Sequence, residues 1–275
     1  MSGFFAARPP DRTGLAMFLN AGDPPLPVLA DVVRMLDDRR VDCLELAVPF
    51  PDSVTDGPVN RRSAARALAD GVGLDDVVDF LARIRPQLAH LRIALLADWS
   101  HTVRPLSLPD FVGRVADSGA DGLLLHGLPP RLRTGYRRAV RAAGLPVVAT
   151  CYAASTAEVK TEAARYASAY LYLVAHYGRS GGVPTTSRRE LADAVAALRQ
   201  TGTVPIAVGF GIRTRADIAA VRDLGADAAV VGSAGVSRIE HALAAQADVV
   251  EELHAFVRSL IPLSTRSAHQ AGDTP

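Results

Sequence analysis

Apolar positions along the chain follow two alternating spacings. Short, nearly continuous apolar runs at 15–20, 43–48, 91–97, 122–125, 146–150, 169–174, 204–208 and 228–231 have the length and pattern of strands buried on both faces, as in a parallel sheet covered by helices. Between them, apolar residues return every three or four positions. Val28, Leu29, Val32, Val33 and Leu36 make one such stripe, and Val77, Val78, Leu81 and Ile84 another. Helices are therefore predicted after each strand. Two lie between the second and third strands, divided by Gly71-Val72-Gly73. The others are 109–118, 129–143, 156–167, 187–199, 214–224 and a single last helix over 239–260. Pro129-Pro130 suits a first helical turn, where a missing N–H is no loss. Three helices run into strands through related tripeptides, Arg40-Val41-Asp42, Gly119-Ala120-Asp121 and Gly225-Ala226-Asp227. These form a faint internal repeat, with glycine ending the helix in two of the three.

Eight strand–helix units without a linker or a shift in composition predict one α/β domain, a (β/α)8 TIM barrel over residues 14–262. An open doubly wound sheet is the competing arrangement, and eight units over about 250 residues favour closure. Residues 1–13, which contain Pro9-Pro10, are predicted irregular, and the polar residues 263–275 a disordered tail.

The second strand breaks the apolar pattern at one place. Glu45 lies among Cys43, Leu44, Leu46, Ala47 and Val48, where a carboxylate is costly to bury unless it is paired or its pKa rises. The strand ends at Pro49, and a loop then delivers Asp56 just before Gly57-Pro58. One carboxyl group on a rigid strand and another on a loop suit general acid–base chemistry, because their environments can separate their pKa values. The structural alternative is that Glu45 pairs with an arginine and the aspartates make turns. In a barrel of this kind the active site lies at the C-terminal ends of the strands, and a phosphate site is commonly built after strands 7 and 8. Gly209-Phe210-Gly211-Ile212 and Gly232-Ser233-Ala234 occupy those places. Glycine there lets backbone N–H groups approach an anion.

Composition narrows the chemistry. With 275 residues, 49% hydrophobic and 21% charged, and a formal net charge of +1, the chain reads as a soluble globular protein, with nothing that points to nucleic acid or an anionic membrane. No apolar run nears the roughly 20 residues of a membrane span, and no signal-peptide pattern opens the chain, so a cytoplasmic location is expected. Cys43 and Cys151 have no CxxC spacing and read as small buried hydrophobes. Lys160 is the only lysine and sits in a helical pattern, away from the strand end that a Schiff-base aldolase requires. The histidines show no HxH or HExxH spacing, no Cys/His cluster exists, and GxSxG is absent. No metal site is expected. Carboxylate acid–base chemistry on a phosphorylated small molecule is what remains.

The segments Phe18-Leu19-Asn20-Ala21-Gly22-Asp23-Pro24 and Leu44-Glu45-Leu46-Ala47-Val48-Pro49-Phe50, through Asp56-Gly57-Pro58, resemble the tryptophan synthase alpha chain family. Tyr170-Leu171-Tyr172-Leu173, Gly209-Phe210-Gly211-Ile212 and Gly232-Ser233-Ala234 continue the resemblance in order, over roughly residues 14–260. It implies a lyase that cleaves indole-3-glycerol phosphate to indole and glyceraldehyde 3-phosphate by retro-aldol chemistry. Glu45 would protonate the indole at C3 and help remove the hydroxyl proton, and Asp56 would bind the indole N–H. Phe18 and Leu96 would pack on the indole, with Tyr172 near Glu45. Gly181, Gly211, Gly232 and Ser233 would hold the phosphate, and Phe210 joins the substrate-binding set. No cofactor is implied for this chain, and a tryptophan synthase beta-type chain is the implied partner.

The chain also departs from the family. Ala47 stands where glycine is usual, and Pro51-Asp52-Ser53-Val54-Thr55 where the family has Ser-Asp-Pro-Leu-Ala. Ala97-Asp98-Trp99-Ser100 replaces a Met-Tyr-Ala-Asn run, Gly127 an aspartate, and Ala175-His176-Tyr177-Gly178-Arg179 a Ser-Arg-Ser-Gly-Val loop. The carboxylates are kept while loops that meet the beta chain have changed. A stand-alone indole producer of specialised metabolism is therefore preferred over an ordinary tryptophan synthase subunit. Two other readings stay open: a barrel enzyme acting on another phosphorylated substrate, and a degenerate, non-catalytic alpha chain that regulates a beta-type partner.

Overall fold

The computed structural model describes residues 3–5, 12–175, 187–209 and 211–261. Its eight strands are β1 (Gly14–Asn20), β2 (Cys43–Ala47), β3 (Arg92–Asp98), β4 (Gly122–His126), β5 (Val148–Tyr152), β6 (Tyr170–Val174), β7 (Ile206–Gly209) and β8 (Ala228–Val231). The helices between them are α1 (Leu26–Asp38), α2 (Pro58–Ala69), α3 (Leu74–Ile84), α4 (Leu108–Asp117), α5 (Arg133–Ala142), α6 (Ala157–Tyr166), α7 (Arg188–Arg199) and α8 (Arg215–Asp223). α9 (Ser233–Ala244) and α10 (Val249–Leu260) follow the last strand. All strand pairs are parallel, in the order β4-β3-β2-β1-β8-β7-β6-β5. The ring shuts between β4 and β5 through a single isolated bridge, Leu123 to Val147. This is the TIM barrel that the alternation predicts.

Two cores explain why the strands read as unbroken apolar runs. Alternate residues such as Leu15, Met17, Leu44 and Leu46 pack outward against the helices. Their neighbours Ala16, Cys43, Ala94, Val148, Tyr170 and Ala228 fill the barrel's interior. Both faces of most strands lose contact with water, β5 with its exposed Thr150 being an exception, so the runs stay apolar.

The base of the barrel is stoppered by the N-terminal segment. Phe4 and Phe5 are buried, and each meets the Tyr170 ring edge-on at 5.3 Å between centroids. Gly14 and Gly122 make room for them: a Cβ at either would lie within 3 Å of a Phe5 or Phe4 ring atom. Sequence periodicity does not show this role, because two aromatic residues in an irregular segment carry no repeat.

The tripeptide repeat turns out to be one device used three times at the strand starts. Asp42, Asp121 and Asp227 each accept a hydrogen bond from the first N–H groups of a neighbouring strand, those of Leu15, Ile93 and Ile206, at 2.9, 2.8 and 2.7 Å. Each also pairs with arginine: Arg12 with Asp42, Arg85 and Arg92 with Asp121, Arg199 with Asp227. The residue two places earlier lies at positive φ in every case, Arg40 at 54°, Gly119 at 82° and Gly225 at 79°. That left-handed step aims the aspartate back under the sheet.

Two element boundaries differ from expectation. The single last helix is two, because the chain turns at Gln246 (φ 51°) and restarts with Asp248 as N-cap, accepting from the Val250 and Glu251 N–H groups. The Asp248-to-Glu251 spacing is a start signal inside what the apolar period alone reads as one helix. β5 runs two residues later than predicted, since Pro146 meets β4 only through its carbonyl oxygen. The predicted tail, 263–275, lies outside the described residues.

Asp121→Ala should lower stability by about 1–3 kcal/mol, because it strands the Ile93 N–H and removes the ion pairs to Arg85 and Arg92. Urea unfolding is the measurement. Ligand binding or catalysis at the strands' C-terminal ends should be unaffected at low temperature, as the residue lies at the far end of the barrel.

Candidate active site

Glu45 faces the barrel's interior with Cys43 below it and Ala47 above, since alternate strand residues share a face. It is only 1% exposed. Its partner comes from β6, directly across the ring from β2: the Tyr170 hydroxyl donates to Glu45 Oε1 at 2.6 Å. Burial raises the Glu45 pKa, and the Tyr170 bond, which favours the carboxylate, offsets part of the rise. The result is a value of about 7. A carboxyl group poised there can give a proton and take one back at neutral pH.

Above Glu45 opens a cavity of about 1090 Å³ at the strands' C-terminal ends. Phe18 and Leu96 line it beside Glu45, Asp56 and Tyr172. Burial, then the nearby Glu45, Asp56 and Tyr152, push the Tyr172 phenol well above its ordinary pKa, so it stays a neutral hydroxyl.

Asp56 is half-buried at the rim, and its place is fixed by α2. Asn60 Nδ2 donates to Asp56 Oδ1 at 3.2 Å, and the Asp56 N–H donates to Ser53 Oγ at 3.3 Å. The start of α2 is in turn tied to β1. Asn20 Nδ2 donates to the Asn60 carbonyl at 3.2 Å and to Ser63 Oγ at 3.0 Å. One turn further on, Arg66 grips the buried Asp23 carboxylate with two bonds of 2.8 Å and also reaches Glu240 on α9. Hydrogen bonds and charge from Arg62 and Arg66 hold the Glu240 carboxyl down at about 2, so Glu240 stays ionised.

On the opposite wall stand Gly211, Gly232 and Ser233. Gly211 has φ of 83°, open to glycine without strain, and Ser233 begins α9, whose N-terminal N–H groups carry a partial positive charge. The structure thus gathers Glu45, Asp56, Phe18, Leu96, Tyr172, Gly211, Gly232 and Ser233 around one space. Gly181 and Phe210 lie outside the described residues. Sequence reasoning missed Tyr170, although it sits two positions before Tyr172 and so on the same strand face. It also missed the Asn20–Asn60 tie, which joins residues 40 apart.

Gly127, which follows β4, lies against a carboxylate from the preceding strand, β3. A Cβ on Gly127 would lie 3.3 Å from Asp98 Oδ2. Asp98 accepts from the His101 N–H and faces His101 Nδ1 at 2.8 Å, and the His101 ring stacks on Phe50.

The sequence profile of the tryptophan synthase alpha chain matches residues 4–263. The chain is 33% identical over 257 residues to the tryptophan synthase alpha chain of Burkholderia mallei, covering 94% of this chain and 93% of that one. It is also 33% identical over 238 residues to that of Ralstonia nicotianae, covering 86% and 88%. Among solved structures, tryptophan synthase subunit alpha from Legionella pneumophila superposes with a TM-score of 0.80 at 28% identity, covering 90% and 91%. A mutant alpha-subunit from Pyrococcus furiosus gives 0.80 at 26% identity, covering 90% and 97%.

The Glu45 environment predicts a stability profile. Its folded pKa lies above the unfolded value, so the stability it contributes is complete below about 4.5 and is lost as pH rises through about 7. Glu45→Gln removes that loss. By urea unfolding, the variant should gain roughly 3 kcal/mol on the wild type between pH 4 and pH 9. Parallel pH profiles for the two proteins would show that Glu45 titrates normally.

Proposed function

Because this chain belongs to the tryptophan synthase alpha chain family, we propose that its cavity binds indole-3-glycerol phosphate and that the protein is a lyase releasing indole and glyceraldehyde 3-phosphate. The observation that carries the reading is Glu45, a buried acid with a pKa of about 7 at the floor of an apolar-walled cavity. Glu45 starts neutral and protonates the indole at C3. Positive charge then spreads onto the ring nitrogen, where Asp56 accepts the N–H hydrogen bond. The Glu45 carboxylate next takes the proton of the side-chain hydroxyl. The bond from C3 to the side chain breaks, its electron pair restores the aromatic ring, and the hydroxyl carbon becomes the aldehyde. Glu45 ends protonated, as it began. The sequence of steps needs no cofactor.

Phe18 and Leu96 supply apolar faces for the indole, with Tyr172 beside the reacting carbon. Backbone groups of Gly211, Gly232 and Ser233 hold the phosphate at the N-terminus of α9. The barrel, 14–262, is one catalytic domain. No helix among the described residues is long and apolar enough to cross a membrane. We place the enzyme in the cytoplasm, where the buried thiols Cys43 and Cys151 stay reduced.

The partner is a tryptophan synthase beta chain, docking over the strands' C-terminal loops. Val54, two residues before Asp56, is 78% exposed, an apolar side chain that a docked partner would cover. The expectation of a self-sufficient enzyme rests on Pro51, Tyr177 and Arg179, of which the last two lie outside the described residues.

Indole release by the purified chain should fall by about 10²–10⁴-fold in Glu45→Gln and in Asp56→Asn, with both variants folded. Full activity in either would remove the acid–base mechanism, and a wild type inert with and without a beta chain would favour a regulatory copy. The wild-type rate should also decline above pH 7, as Glu45 loses the proton it must donate.

Adding a beta chain from the same organism should raise the rate by about tenfold or more, by increasing the share of molecules with closed loops. A flat titration would make the chain a stand-alone indole producer.

A further inference from the structure

The reaction leaves one wall of the cavity without a role. β3–β4 and β5–β6 keep five-residue registers, whereas β4 and β5 meet only at Leu123 and Val147, near their starts. Above that bridge the cavity passes through the barrel wall. It touches Leu124 and Val148, which face the barrel's interior, and also Leu125 and Ala149, which belong to the helix-facing side. One space can reach both faces of two neighbouring strands only by running between them.

The walls of this gap are apolar and incompletely covered. Helix-facing residues elsewhere in the sheet, such as Leu46, Leu95 and Leu173, are fully buried. Leu125, Val147 and Ala149 face the same layer but are only half-buried. An apolar group moved against them takes both surfaces out of water, so the gap favours an apolar occupant. Past these side chains the walls turn cationic, with Arg141 and Arg165 at the outer mouth. That change limits the occupant to a short group.

The ring order decides which part of a substrate meets the gap. The glycines proposed to hold phosphate follow β7 and β8, and β3 and β4 lie diametrically opposite. With phosphate at the glycines and C3 over Glu45, the benzo edge of the indole points at the β4–β5 gap. A bare indole in the lumen leaves Leu125, Val147 and Ala149 without a partner, since they lie beyond the interior face. At about 1090 Å³ the whole space exceeds the usual range for a drug-sized ligand, about 300–1,000 Å³.

We propose, resting on the lyase reading, that the substrate of this chain is an indole-3-glycerol phosphate carrying a short apolar substituent on its benzo ring, seated between β4 and β5 against Leu125 and Ala149.

The test measures kcat/KM for unsubstituted indole-3-glycerol phosphate and for its 5-, 6- and 7-methyl, chloro and hydroxy analogues, with and without a beta chain. Methyl and chloro groups are close in size and differ in electronic effect, so agreement between them reports room. At one or more positions both should exceed the unsubstituted parent by about fourfold or more, the gain for one methyl-sized group moved out of water. Ala149→Phe fills the gap and should reverse that preference, making the parent the best substrate. Ala149→Val, a smaller insertion, should shift it in the same direction and serves if the phenylalanine variant does not fold. A wild type that uses no analogue better than the parent overturns the proposal, as does a preference that survives both substitutions. Hydroxy analogues used better than methyl ones overturn it too, because the substituent would then lie against His126 and Thr150, which also line the cavity. In each of these outcomes the parent is still cleaved and the lyase reading stands. If no compound is cleaved under any condition, the lyase reading falls and takes this one with it.

Discussion

The structure depends on keeping a carboxyl group in the middle of a barrel without letting it ionise fully or drift. One hydrogen bond across the lumen, from Tyr170 to Glu45, meets that constraint. Without a donor, the buried acid would remain neutral through a wider pH range and lose its capacity to act as a base. With a strongly cationic partner it would be a permanent anion and lose its capacity to act as an acid. A neutral phenol lies between these extremes. Tyr170 is itself held by Phe4 and Phe5, which stopper the barrel base. Residues near the start of the chain thereby set the position of its central acid.

A second constraint is that the two carboxylates must be placed independently. Glu45 is fixed by the sheet, whose register sets its height against Phe18 and Ala94. Asp56 is fixed by a helix start, through Asn60, Asn20 and the Arg66–Asp23 pair. The buried Asp23 would be costly alone, and its bidentate arginine makes burial tolerable. Glu45 and Asp56 are thus held by separate elements, one by the sheet and one by a helix start. The exposed Val54 shares the loop that carries Asp56.

The barrel's weak closure between β4 and β5 belongs to the same design. Seven neighbouring strand pairs form ladders and the eighth forms one bridge. A sheet edge left open is ordinarily a liability. Here α5 covers it from outside, and the space between becomes part of the cavity. The stability lost in unpaired backbone is offset at the opposite end of the strands, where three aspartates tie strand starts to their neighbours.

The alternation of apolar runs and stripes determined the fold, because strands buried on both faces and helices buried on one leave different periods in a sequence. Glu45 and Asp56 were legible for a related reason: a carboxylate inside an apolar run contradicts its surroundings and so marks itself. Local signals failed where two were superposed, as at Gln246, where an apolar period continues across a break that Asp248 caps. Pairings between distant residues left no trace at all. That Tyr170 rather than Tyr172 bonds Glu45, that Asn20 holds Asn60, and that Phe4 and Phe5 seal the base were decided only when the ring closed. Closure sets which strand lies opposite which, and the distances across the lumen, not positions along the chain, choose the partners.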